Sequence, residues 1–133
     1  MRKEDQEGQG TKIMEDNRKE QVEALEVLVE FNQRVLKNLH ILVKEISGER
    51  LDDTDAFMKS ILNAMNWEIQ VMNGTMELLN EGEQRVDKKE FNDKVVALNE
   101  AIASGEDSKL STAFEEIIPY FENLGKAADA VIQ

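Results

Sequence analysis

Residues 22–46 read VEALEVLVEFNQRVLKNLHILVKEI, and this stretch decides the fold class. Val22, Val29, Leu36 and Val43 recur at one heptad position, and Leu25, Asn32, Leu39 and Ile46 at the next core position. Leu28, Val35 and Leu42 widen the stripe on one flank. A stripe this broad suits a helix facing two or three neighbours better than a single coiled-coil seam. The pattern reaches back to about residue 12 and stops at Ser47-Gly48, where glycine cheaply supplies a left-handed end.

Past that stop, Asp52, Asp53, Thr54 and Asp55 offer caps and negative charge to the start of a second helix. Met58, Met65, Met72 and Leu79 then repeat every seven residues, interleaved with Leu62, Ile69 and Met76. Asn73-Gly74 is a turn signal, but the register continues across it, so one unbroken helix to about Asn80 is expected. Asp87 with Glu90 three residues on forms a capping-box variant for a third helix, with Phe91, Val95, Leu98 and Ile102 on one side. That helix should end at Ser104-Gly105. The last one follows Asp107-Ser108 and turns Leu110, Phe114, Ile117, Ile118, Phe121, Leu124 and Ala128 inward. Pro119 removes the bond to the Glu115 carbonyl and is expected to kink or split it, with Gly125 a second weak point.

No segment alternates with period two. Short connections favour antiparallel neighbours. The expectation is an all-α chain: a four-helix antiparallel bundle with a long first helix and a Pro-kinked last helix. Residues 1–11, charged, glycine-bearing and without an apolar side chain after Met1, read as a disordered arm before a single helical domain over 12–133.

The chain has 133 residues, 41% hydrophobic and 33% charged, with no cysteine. Composition thus excludes disulfides, thiolate metal sites and a cysteine nucleophile. Sixteen basic against 28 acidic residues leave a net charge of −12, which repels phosphate backbones and anionic lipid. Neither nucleic acid nor a membrane is an expected partner. The charged start Met1-Arg2-Lys3-Glu4 has no apolar run behind it, and stretches such as Ile41-Leu42-Val43 fall far short of the ~20 residues that span a bilayer. A cytoplasmic location is expected.

Catalytic constellations are missing. His40 is the single histidine, and Lys37 stands three residues before it, so the Glu-x-x-His pairs of di-iron bundles cannot form. A Ser-His-Asp arrangement would also depend on His40, which no neighbouring pattern supports. Asp52-Asp53-Thr54-Asp55 lacks the glycine and terminal glutamate of an EF-hand loop, and helix capping accounts for it. Gly8-Gln9-Gly10-Thr11-Lys12 lacks the spacing of a phosphate loop. The chain is expected to be a non-enzyme with no cofactor and no metal.

One surface stands out. Residues 60–76 contain a single charged side chain, Glu68, where the overall composition would place about six. With the methionine column turned to the core, Trp67 projects from nearly the opposite side of the helix, and Gly74 lies two turns further along that line. Asn63, Asn66, Gln70 and Asn73 flank it. Interface centres are poor in charge and rich in Trp, and amides can bond a partner's backbone. Asn63, Asn66, Trp67, Gln70, Asn73 and Gly74 are therefore the candidate partner-binding residues. The competing account makes this helix central, with Trp67 covered by the last two helices and the amides bonded internally; a homodimer would satisfy both.

Asn32, among valines and leucines, is read as a register device, and the methionines as core gap-fillers rather than a promiscuous groove. The expected role is a protein–protein interaction module, an adaptor or small chaperone-like protein, similar in size, acidity and helicity to small bacterial export chaperones as a class. Two alternatives stand beside it. One is a structural homo-oligomer built through the same face. The other is an apolar-ligand binder lined by Met65, Met72 and Phe114.

Overall fold

A computed structural model describes the backbone of residues 2–133 and the side chains of residues 17–133. The disordered arm expected over residues 1–11 lies outside the residues whose side chains are described. Five helices follow one another: α1 (Arg2–Ile46), α2 (Thr54–Gly74), α3 (Met76–Leu79), α4 (Lys88–Ser104) and α5 (Asp107–Ile132). There is no strand among the described residues, so the all-α expectation holds.

The count is five rather than four because the second helix is divided. The Asn73-Gly74 pair stays helical, as the register requires; the interruption falls one residue later, at Thr75, with φ −125° and ψ 15°. Its hydroxyl donates to the Val71 carbonyl at 2.7 Å. A Thr bonding back to the carbonyl four residues earlier competes with the regular ladder and bends or ends a helix. Of the two effects expected of Pro119, a kink or a split, the split does not occur: α5 runs through it as a single helix of 26 residues.

α1 is the hub. It packs against α2 on one side and α5 on the other, while α5 also carries α4 and the short α3. Two neighbours demand a wide buried stripe, and Leu25, Leu28, Val35, Leu39, Leu42 and Ile46 supply it, each at most 3% exposed. The series expected on the flank, Leu28, Val35 and Leu42, is therefore fully in the core. Val22, Val29, Leu36 and Val43 are only half-buried. In α5, Phe114, Ile117, Phe121, Leu124 and Ala128 face inward as expected. Phe121 meets Phe91 of α4 at 5.1 Å between ring centroids, which joins the two helices through aromatic contact.

Capping follows the sequence at α4 and departs from it at α2. The Asp87 carboxylate accepts from Glu90 N at 3.1 Å, and Gly105 closes the helix in the left-handed region at φ +69°. At α2 none of the aspartates caps by side chain. Instead buried Thr54 accepts from Leu51 N at 2.8 Å and donates to Glu45 at 2.7 Å. Arg50 in the connecting turn bonds Asp55 at 2.8 Å and grips Asp107 in a two-pronged contact at 2.7 and 3.0 Å. One guanidinium thus ties the starts of α2 and α5 together, and it holds the Asp107 carboxyl below its usual range.

Candidate functional site

The inward and outward faces of α2 follow from its helical period. Ile61, Met65, Glu68 and Met72 form the buried edge, continued by Thr75 and Leu79. The methionine column therefore lies in the core or at its edge, Met65 and Met72 being at most 2% exposed and Met58 half-buried. Its companion seam is not the expected Leu62, Ile69 and Met76, which are half-buried. The companion is Ile61, Glu68 and Thr75, one residue earlier in each turn. The only charge of residues 60–76 is thereby turned inward.

Glu68 is 0% exposed. Its Oε1 accepts from Asn32 Nδ2 of α1 at 2.8 Å, and the same nitrogen donates to the Phe121 carbonyl of α5 at 3.1 Å. Both amide hydrogens of Asn32 are thus used, and three helices meet on one side chain. Asn32 is 4% exposed and acts as the expected register device rather than as a solvated edge residue. Glu68 Oε2 has no hydrogen-bond partner among the described residues. Burial pushes the Glu68 carboxyl up to about 7, against the opposing pull of the Asn32 bond.

Gly125 completes the junction. A Cβ there would collide with the Asn32 side-chain amide, lying 2.9 Å from its Cγ. The glycine read as a weak point of α5 is therefore what lets the register amide seat itself. Behind it an open cleft of about 280 Å³ between α1 and α5 carries the exposed Glu122, Lys126 and Asp129.

With Glu68 inside, the outer face of α2 carries no charge over residues 60–76. Asn63, Asn66, Gln70, Asn73 and Gly74 are all exposed on it, as the sequence suggested. Trp67 is the exception. It is half-buried, its ring standing edge-on to Phe31 of α1 at 5.3 Å, so it borders the face instead of centring it. The last two helices do not account for its burial; α1 does. Gly74 borders two open clefts of about 260 and 390 Å³, the second shared with Gln21, Asn73 and Glu77. A Cβ on Gly74 would meet nothing within 4 Å.

Other chemistry is placed as follows. Met65, Met72 and Phe114, the expected lining of an apolar pocket, are packed in the core at 2% exposure or less. An open cleft of about 530 Å³ runs between α4 and α5, floored by Ala97, Ala101 and Ala113. No group of three or more His, Asp or Glu among the described residues is placed to hold a metal ion, and His40 is exposed. No described helix is long and apolar enough to cross a membrane.

Fold and face together define a small all-helical protein in which α2 turns an amide-bearing face outward that carries no charge over residues 60–76. Residues 23–127 match the family described as Domain of unknown function (DUF8042), and the chain belongs to that family. No curated protein and no solved structure matches the chain.

Proposed function

We propose that this protein is a non-enzymatic interaction module, adaptor-like or small-chaperone-like, that docks another protein on the outer face of α2. One observation carries the reading. In a chain that is 33% charged and carries −12 overall, the exposed amides of Asn63, Asn66, Gln70 and Asn73 form an uncharged ladder about 15 Å long. Sustained desolvation is cheap there, because amides can exchange water for a partner's backbone groups, whereas buried charges cost far more. Trp67 at the margin supplies apolar area beside the ladder.

Asn66→Arg/Gln70→Arg tests the reading. Both residues are exposed, so the fold should persist by circular dichroism, while a protein captured by the wild type should be lost. Identical sets of captured proteins for both chains would refute the proposal.

A further inference from the structure

The charges that bound the uncharged face are arranged symmetrically. Lys59 is the only basic residue between Arg50 and Arg85, and it stands nine positions before Glu68. Glu77 stands nine positions after it. Between them, Asn63 and Asn73 are five positions either side of residue 68, and Asn66 and Gln70 are two positions either side. All six side chains are exposed. The Thr75 interruption does not carry Glu77 away from the face, because Glu77 lines the same cleft as Asn73 and Gly74.

We infer that the partner of this face is a second copy of the chain, with the two α2 helices antiparallel across a two-fold axis at the level of residue 68. The inference rests on the proposed function and names its partner. In that register Asn63 faces Asn73 of the second copy, Asn66 faces its Gln70, and Lys59 faces its Glu77. Every one of these contacts occurs twice, as an isologous interface requires. Amides suit self-pairing because each carries a donor and an acceptor, so two copies satisfy one another without a complementary sequence.

Charge decides in favour of a second copy. Two chains of −12 repel over most of their surfaces, and the α2 face is where they can approach without opposed like charges. Two of the nearby acids are already paired within the chain: Asp55 with Arg50 at 2.8 Å and Glu81 with Arg18 at 2.7 Å. Lys59 and Glu77 have no ion-pair partner among the described residues, although Lys88 lines the cleft beside Glu77. Lys59 stands in the second turn of α2 and Glu77 in the short α3 past its other end, so each pairs with its opposite at one end of the assembly. A single helix pair covers less than the ~1,200 Å² of a standard interface, so the association is weak and concentration-dependent.

Sedimentation equilibrium of the purified full chain at low salt, over a concentration series, tests the register. The wild type should rise from 15.2 kDa toward twice that mass. Lys59→Glu and Glu77→Lys should each weaken association about tenfold, because each opposes like charges twice. The double variant Lys59→Glu/Glu77→Lys should return to within about threefold of the wild type, because the exchanged charges pair again. Circular dichroism should be unchanged throughout, both side chains being exposed. A monomer at every concentration, or a double variant as weak as the singles, overturns the pairing. Either result leaves docking of a different protein on Asn66 and Gln70 standing, since that is read separately in the arginine variant.

Discussion

Asn32 on α1 and Glu68 on α2 are joined by a 2.8 Å bond inside the core, and the same Asn32 amide reaches the Phe121 carbonyl of α5 at 3.1 Å. This contact explains the bare outer face of α2, because the helix's one mid-length charge has been taken inward. It also fixes the rotation of α2 about its own axis. Any other rotation strands the carboxyl away from its donor. The uncharged surface and the buried register contact are two sides of one helix.

Proton uptake by Glu68 should be visible in stability. Its carboxyl titrates at about 7 in the fold against 4.5 when unfolded, so between those pH values the folded chain holds a proton that the unfolded chain has released. Stability from this group is therefore highest below pH 4.5, falls through the window, and levels off above 7, a difference of about 3 kcal/mol. Glu68→Gln removes this dependence. Urea unfolding from pH 5 to pH 8 should show the variant gaining about 1–3 kcal/mol on the wild type as pH rises. Parallel curves would contradict the assignment.

Removing the donor should cost more than removing the whole pair. Asn32→Leu leaves Glu68 buried without its one hydrogen bond, removes the bond to the Phe121 carbonyl as well, and should destabilise by about 2–4 kcal/mol. The double variant Asn32→Leu/Glu68→Leu should recover most of that loss, because no polar group remains unpaired. Chemical denaturation of the four chains in the cycle measures the coupling.

Gly125→Ala distinguishes a close approach from a weak helix position. In an exposed helix the change would add about 1 kcal/mol of stability. Here it should cost about 1–3 kcal/mol, because the methyl displaces the Asn32 amide from its two bonds. Thermal melting in the Asn32→Ala background should abolish the penalty.

Trp67 belongs to the α1–α2 contact before it belongs to any interface. Trp67→Ala should destabilise by about 1–3 kcal/mol, and a double-mutant cycle with Phe31→Ala should return a coupling of about 0.5–1.5 kcal/mol. Emission from the single Trp should be partly quenchable by acrylamide, as befits a half-buried ring.

The sequence disclosed the helices, the stop at Ser47-Gly48, the Asp87 cap and the outward amides, because each depends on local chemistry or on a period visible along one element. It did not disclose which of two apolar seams faces which neighbour. In α1 the Leu28 and Val29 series are both apolar, and only the docking side of α5 makes the first the core. In α2 the same ambiguity hid Glu68. Leu62, Ile69 and Met76 looked like the seam because they are apolar, whereas the true seam carries a carboxyl and a threonine. A usable signal was present: Asn32 at a core position needs a polar mate, and Glu68 is the one charge in a stretch that otherwise excludes charge. Gly125, read as weakness, is a clearance for that mate. Trp67 was misplaced because a wheel shows angle and not reach; its ring is long enough to fold over onto Phe31.

The central claim is that the Asn66 and Gln70 side of α2 is covered by protein where the chain works. The chain has no cysteine, so Asn66→Cys and Glu100→Cys each create one addressable thiol, on the α2 face and on exposed α4 respectively. Maleimide labelling should proceed at similar rates for both in dilute purified protein. In the producing cell, Asn66→Cys should label several-fold more slowly than Glu100→Cys. Equal rates in the cell would contradict the account.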